Sequence, residues 1–355
     1  MPLNTPIFVS SILHWYAKNK RDLPWRNTKD PYLIWLSEVI LQQTRIEQGT
    51  PYYHAFADRY PNLRDLAQAS EQEVLNLWQG LGYYSRGRNL HAAAKRIVEQ
   101  HNGVFPKTYD EIRALPGIGD YTAAAISSFA YNGPYAVLDG NVFRLLSRYF
   151  NISDEIDSPE GKKQFKELAD SLLFEQDPGT YNHAIMDFGS VVCRPKKPNC
   201  EICPLSDTCL GLKEQTHLDL PMKRPKRKKK ERHFYFFLIE DDQGNVLVQK
   251  RSSKDIWQGL THPPLLEYNH NVHVEGNDDL LNSLKKLTGV RNWGALEHKK
   301  SITHILSHQK LLCELWLLKV KELPILKNEY IFVVSKEKWV EDYPIPRAVD
   351  KLLHD

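Results

Sequence analysis

Four of the five cysteines lie between positions 193 and 209, spaced Cys193-x6-Cys200-x2-Cys203-x5-Cys209. Thiolates this close draw the chain into a compact loop around one metal centre, in a reducing compartment rather than as a disulfide framework. A structural zinc is one such centre. Zinc modules, however, more often pair two C-x2-C knuckles across a longer gap, and a single tight wrap suits a cubane [4Fe-4S] cluster. Arg194, Lys196 and Lys197 give the first loop a basic face. Cys313 stands apart in an apolar run and reads as core packing.

A second feature is the stretch from Leu115 to Arg144. Pro116-Gly117-Ile118-Gly119 is too glycine-rich for a helix interior, and a helical pattern from Tyr121 to Tyr131 follows at once. Gly117 and Gly119 permit positive φ and close backbone approach. The helix behind them starts with unpartnered N–H groups and a partial positive charge, so hairpin and helix start together make a phosphate-sized anion site. Asp139 follows in the apolar setting Val137-Leu138-Asp139-Gly140-Asn141-Val142. A carboxylate there invites a role for its charge beyond solvation.

Before residue 213 apolar residues recur at helical spacing near 7–20, from Tyr32 to about Glu47, and near 51–59, 71–79, 85–101, 108–114, 121–131, 139–149, 160–174 and 179–191. Short breaks with Pro, Gly or Asn separate them. No convincing strand precedes residue 213. The run Met222–Arg232, MKRPKRKKKER, is almost entirely basic although the whole chain carries only +3. Such a run reads most simply as a solvated linker and more sharply as an attraction for nucleic acid, and the two readings are compatible. Beyond it, 233–239 and 245–249 read as strands around the turn Asp241-Asp242-Gln243-Gly244, 280–287 as a helix, 310–320 and 330–334 as strands, and 347–354 as a closing helix. The fold class is therefore multidomain: an all-α domain over 1–213 with the cysteine loop at 193–209, a basic linker over 214–232, and an α+β domain over 233–355. The start lacks a signal-peptide pattern and no apolar run would span a bilayer. A soluble, cytoplasmic chain without membrane contact is expected.

The hairpin with its downstream aspartate, the cysteine spacing and their order resemble the helix-hairpin-helix DNA glycosylases with an iron–sulfur cluster, the endonuclease III superfamily. Trp35-Leu36-Ser37-Glu38-Val39-Ile40-Leu41-Gln42-Gln43-Thr44 and Gly80-Leu81-Gly82-Tyr83-Tyr84-Ser85-Arg86 narrow the resemblance to the MutY-type adenine DNA glycosylases. It covers nearly all of the first 213 residues and continues more weakly beyond. By itself Glu38 reads as a surface glutamate on an amphipathic helix. If it is desolvated instead, its pKa rises and it donates a proton near neutral pH. Purine excision needs such a donor, and the oxocarbenium-like sugar needs a second carboxylate. The resemblance makes Glu38 the general acid, Asp139 the stabiliser of the cationic sugar and Asn141 its support. Tyr121 stands where bifunctional relatives carry a Schiff-base lysine. It cannot form an imine, so a monofunctional glycosylase is expected.

The target base must leave the stack. By resemblance Gln43 and Tyr83 wedge beside the opposite base, Thr44 also contacts DNA, and Arg26 lies near the flipped adenine. The C-terminal domain resembles the Nudix fold, but its Asp278–Gly289 stretch lacks the glutamates that would hold magnesium. Nucleotide hydrolysis is not expected there. Ser307 and His308 match a motif that contacts 8-oxoguanine, whereas Leu306 replaces its phenylalanine. The implied partner is duplex DNA with adenine opposite 8-oxoguanine or guanine, bound by a nucleoid-associated monomer. A glycosylase/lyase for oxidised pyrimidines and a non-catalytic iron–sulfur DNA-binding module are the rival readings.

Overall fold

The computed structural model of the chain describes residues 5–225, 228–252, 254–324 and 330–354. Two residues of the basic run, 226 and 227, lie outside the described residues. The chain forms two compact units: Met1–Ala67 with Ala92–Pro225, and Gln68–His91 with Lys226–Asp355.

The helices are α1 (Thr5–Asn19), α2 (Pro31–Leu41), α3 (Ile46–Arg59), α4 (Leu63–Gln68), α5 (Glu71–Leu77), α6 (Ser85–Gln100), α7 (Tyr109–Arg113), α8 (Asp120–Tyr131), α9 (Gly140–Phe150), α10 (Pro159–Ser171), α11 (Pro178–Val191) and α12 (Leu210–Lys213). Among the described residues no strand precedes Lys230. In the first unit α2 and α8 form the centre. Asp30 caps α2 by accepting from the Tyr32 N–H, Pro31 fixes the first turn, and the helix is buried from Ile34 to Ile40. The run Ala123-Ala124-Ala125 keeps α8 slim, and α8 is buried from Thr122 to Phe129. Where α11 starts, a Cβ on Gly179 would lie 2.7 Å from the Ser128 carbonyl oxygen, so glycine permits this close crossing.

One expectation is corrected here. The helix expected from Tyr32 to about Glu47 ends at Leu41; a turn through Gln43, at φ 58°, leads into α3. The α3 helix folds back onto α2, and a Cβ on Gly49 would meet Leu41 Cδ2 at 2.7 Å. Packing of two helices against each other, which local propensity does not encode, makes the break.

Among its described residues the second unit holds a seven-stranded mixed sheet in the order β3 (Thr261–His262), β2 (Asn245–Lys250), β1 (Lys230–Glu240), β6 (Gln309–Lys319) and β5 (Leu296–Ile305), with β4 (Leu265–Tyr268) beside β1 and β7 (Ile331–Ser335) beside β2. The helices that go with it are α13 (Asp278–Thr288), α14 (Lys336–Asp342) and α15 (Arg347–His354). The strands β1 and β6 run parallel, Lys230 beside Gln309 through Glu240 beside Lys319. Leu280 and Leu284 of α13 pack on Tyr235, Phe237, Ile239 and Trp316. The sequence reading misses β5 because it is an edge strand, largely exposed and rich in polar residues. It also starts β1 three residues late. Arg232, at the end of the basic run, is buried in β1, where it donates to Glu267 and Asp255 at 2.6 Å each and to Gln309 at 3.0 Å.

Candidate active site

The hairpin before α8 is locked from within. The Ile118 N–H donates to the Leu115 carbonyl at 3.2 Å, Arg113 donates to the Ile118 carbonyl at 3.1 Å, and Arg113 pairs with Asp120 at 2.6 Å. Gly117 has φ 74°, which glycine adopts without a Cβ penalty. Gly119 caps α8 with no side-chain hydrogen bond, and a Cβ built on it would meet nothing within 4 Å. The helix start is thus open to an outside acceptor.

In the first turn of α8, Tyr121 lines a cleft that it shares with Arg26, Glu38, Gln43, Thr44, Asp139 and Asn141. Seven of the candidate residues, from four stretches of chain, thus meet at one opening. Glu38 is only 8 % exposed. Burial pushes its carboxyl up to about 7; the Asp139 charge adds to this, while a hydrogen bond with Tyr121 and the nearby Arg26 hold it down. Loss of solvation is the dominant cause, as for an acid that must carry its proton at neutral pH.

Asp139 sits differently. It is the N-cap of α9 and accepts from the Asn141 N–H at 2.8 Å, the Val142 N–H at 2.7 Å and the Asn141 side-chain amide at 2.7 Å. Burial raises its pKa, while these donors and Arg144 hold charge on it. Both carboxyls at this opening are desolvated and pushed upward by burial, but only Asp139 is met by three donors of its own helix start. Behind them Arg144 donates to Asn141 Oδ1 at 2.9 Å, to the Gly189 carbonyl at 2.6 Å and to the Cys193 carbonyl at 2.7 Å.

Arg26 is not a surface residue. Its guanidinium forks onto the fully buried Asp187 at 2.6 and 2.9 Å, and Arg21 binds the same carboxylate. Its Nε, also buried, has no protein partner among the described residues. Asp187 and His183 were not foreseen. They lie four residues apart on α11, a spacing that puts both on one helix face and was the available signal. His183 lines the cleft and stacks on Phe129 at 3.8 Å and 7°. Burial, with Arg26, drives its pKa down to about 3, so the ring is neutral and both donates and accepts.

The four cysteines line a separate small pocket with Leu145, Val192 and Leu205. Among the described residues no three Cys, His, Asp or Glu side chains gather closely enough for a single ion. Burial raises the Cys200, Cys203 and Cys209 thiols, Cys203 to about 12, a cost that bound cationic iron would offset. Arg148 ties the loop down, donating to the Arg194 and Pro195 carbonyls at 2.8 and 2.9 Å and to Cys193 Sγ at 3.6 Å.

Tyr83, Ser307 and His308 belong to the second unit. Tyr83 is 50 % exposed at φ 47°. Ser307 and His308 form the exposed turn between β5 and β6, with Ser307 Oγ 3.0 Å from His308 Nδ1.

Residues 36–171 match the family model of the HhH-GPD superfamily base excision DNA repair proteins, and residues 235–355 match that of the NUDIX domain. A solved thermostable thymine-DNA glycosylase is 30 % identical with a TM-score of 0.56, covering 59 % of this chain and 97 % of its own. An endonuclease III–DNA complex, 20 % identical with a TM-score of 0.53 over 61 % of this chain and 99 % of its own, shares the fold. An adenine DNA glycosylase of Buchnera aphidicola subsp. Baizongia pistaciae is 34 % identical over 92 % of this chain and 90 % of its own length. The chain belongs to the adenine DNA glycosylase family. The human adenine DNA glycosylase is 32 % identical over 87 % of this chain and 66 % of its own. Within the adenine DNA glycosylase family this chain is a base-excision enzyme built as a helical glycosylase domain followed by a Nudix domain. Among the described residues no helix is long and apolar enough to cross a membrane.

Proposed function

We propose that this chain hydrolyses the N-glycosidic bond of adenine paired with 8-oxoguanine or guanine in duplex DNA, as a monofunctional glycosylase. One observation carries this reading: a desolvated Glu38 poised at about 7 opens onto the same cleft as a donor-rich Asp139. Glu38 delivers its proton to a ring nitrogen of the extruded adenine. The sugar–base bond breaks with its electrons going to the base, and Asp139 stabilises the cationic sugar. The Glu38 carboxylate then takes a proton from water as its oxygen bonds to the sugar carbon. The products are free adenine and an abasic site. Tyr121 holds Glu38 and, lacking an amine, supports hydrolysis without strand cleavage.

In the same reading Gly117 and Gly119 offer backbone N–H groups to a DNA phosphate. Gln43, Thr44 and Tyr83 fill the gap beside the opposite base, and Arg26 reaches the flipped adenine. Ser307 and His308 read 8-oxoguanine, in a Nudix domain that reads rather than hydrolyses. Cys193, Cys200, Cys203 and Cys209 would hold a [4Fe-4S] cluster, which when bound crosslinks the basic loop. The division into 1–213, a linker over 214–232 and 233–355 is functional: excision, tether and lesion reading. The enzyme works as a monomer on nucleoid DNA in the cytoplasm.

Excision from matched duplexes with adenine opposite each base tests this. Release is expected opposite 8-oxoguanine and guanine, lost in Glu38→Gln, with no borohydride-trapped adduct. Normal excision by Glu38→Gln, or a robust adduct, overturns it.

A further inference from the structure

The segment Gln68–His91 interrupts the first unit in sequence, yet it packs as part of the second. Its side chains grip the backbone of two loops there. The Tyr84 hydroxyl donates to the Ile345 carbonyl at 3.2 Å and Arg88 to the Gln258 carbonyl at 2.6 Å. Asn76 and Gln72 donate to the Asp342 carbonyl at 2.6 and 3.0 Å, and the Ile345 N–H reaches Gln79 Oε1 at 3.4 Å.

These acceptors are fixed. The Pro344 carbonyl takes the Thr261 N–H of β3 at 2.8 Å, and the Trp339 indole, fully buried, donates to Thr261 Oγ1 at 2.8 Å. Gln258 lies between the buried Trp257, whose ring meets Phe234 at 5.6 Å, and Gly259, where a Cβ would lie 3.1 Å from Glu71 Oε1 of α5. On the gripped side, Trp78 donates to the Gly82 carbonyl at 3.0 Å and Arg86 to the same oxygen at 3.3 Å. Gly82 has φ 73°. The result is a braced loop with Tyr84 buried and its neighbour Tyr83 half exposed in a left-handed conformation that non-glycine residues seldom adopt.

We propose that the C-terminal unit is the mount of Tyr83, with Tyr84, Arg88 and Asn76 as its positioning residues. This unit then contributes to excision through the Tyr83 ring as well as through the Ser307-His308 turn. The inference rests on the reading of Tyr83 as a wedge beside the opposite base. It goes beyond that reading in assigning the support of the wedge to the C-terminal unit.

The test uses the full chain on duplex with adenine opposite 8-oxoguanine and a fluorescent base analogue beside the 8-oxoguanine. Single-turnover excision and analogue unstacking are followed for Tyr83→Ala, Arg88→Met, the conservative Tyr84→Phe, and Tyr83→Ala with Arg88→Met. Arg88→Met and Tyr84→Phe are each expected to slow excision roughly threefold to tenfold, as for loss of one hydrogen bond. Both should dampen the fluorescence change as Tyr83→Ala does. The double variant should match Tyr83→Ala within about twofold, because the residues act as one unit. Additive losses, or wild-type behaviour of both positioning variants while Tyr83→Ala is impaired, overturn the mounting and leave the wedge standing. An unimpaired Tyr83→Ala overturns the wedge reading itself, and the mounting with it.

Discussion

Arg144 Nε donates to the Cys193 carbonyl at 2.7 Å. The same guanidinium holds Asn141, whose amide holds Asp139, so the first residue of the cysteine loop and the Asp139 carboxylate share one arginine. Replacing Arg144 with Met leaves four acceptors without this donor, each costing on the order of 1–3 kcal/mol if it stays buried and unpaired. We expect Arg144→Met to lower the melting temperature and to slow excision by at least about tenfold, the equivalent of 1.4 kcal/mol. Arg144→Lys, which restores charge but not the fork, should recover little. A variant with wild-type rate would show that the arginine only packs.

Glu38 sets the pH dependence. In the proposed role of general acid it must be protonated, so excision should fall as pH rises through about 7. The Tyr121 hydrogen bond lowers that pKa, so Tyr121→Phe should move the alkaline limb to higher pH. A pH profile of single-turnover rate checks both shifts.

The same group has a stability signature. Its pKa is raised from 4.5 to about 7 in the folded chain, which therefore binds more protons than the unfolded chain between those values. Stability contributed by neutral Glu38 is fully present below 4.5 and is lost as pH rises through about 7. Glu38→Gln should thus be more stable than wild type above pH 7, by on the order of 3 kcal/mol, with the gain vanishing near pH 4. Urea melts at the two pH values measure it.

Asp187 pairs with two arginines while fully buried. Asp187→Ala strands their charges, so we expect a loss of roughly 3–5 kcal/mol in chemical unfolding. Asp187→Asn keeps the shape and should lose less, yet still free Arg26 and raise KM more than it lowers kcat.

Gly189 lies inside α11, where alanine would ordinarily gain about 1 kcal/mol. A Cβ there would lie 2.8 Å from the Asn141 carbonyl oxygen. The clash should win, so Gly189→Ala is expected to push Asn141 away from Asp139 and reduce excision while helix content is unchanged by circular dichroism.

Much of this site was legible in the chain. Gly117 and Gly119 before a helix, the cysteine spacing, and Asp139 in an apolar setting are local patterns, because backbone permissiveness and thiolate chemistry act within a few residues, whereas Glu38 by itself read as a surface residue and stood out only through the resemblance. Other features depend on contacts between distant residues. Gln43 leaves the helical path because α3 folds onto α2 at Gly49. Arg26 is buried because Asp187, far along the chain, waits for it.

By itself, then, the sequence determined the helical first half, the mixed second half, the cysteine loop and the chemical types at the cleft. The burial of Glu38, the arginine that joins Asn141 to the cysteine loop, and the packing of Gln68–His91 with the C-terminal unit came only with the folded chain. The reason is physical: propensity and ligand spacing are short-range, whereas desolvation and the pairing of buried polar groups exist only once remote segments exclude water from between them.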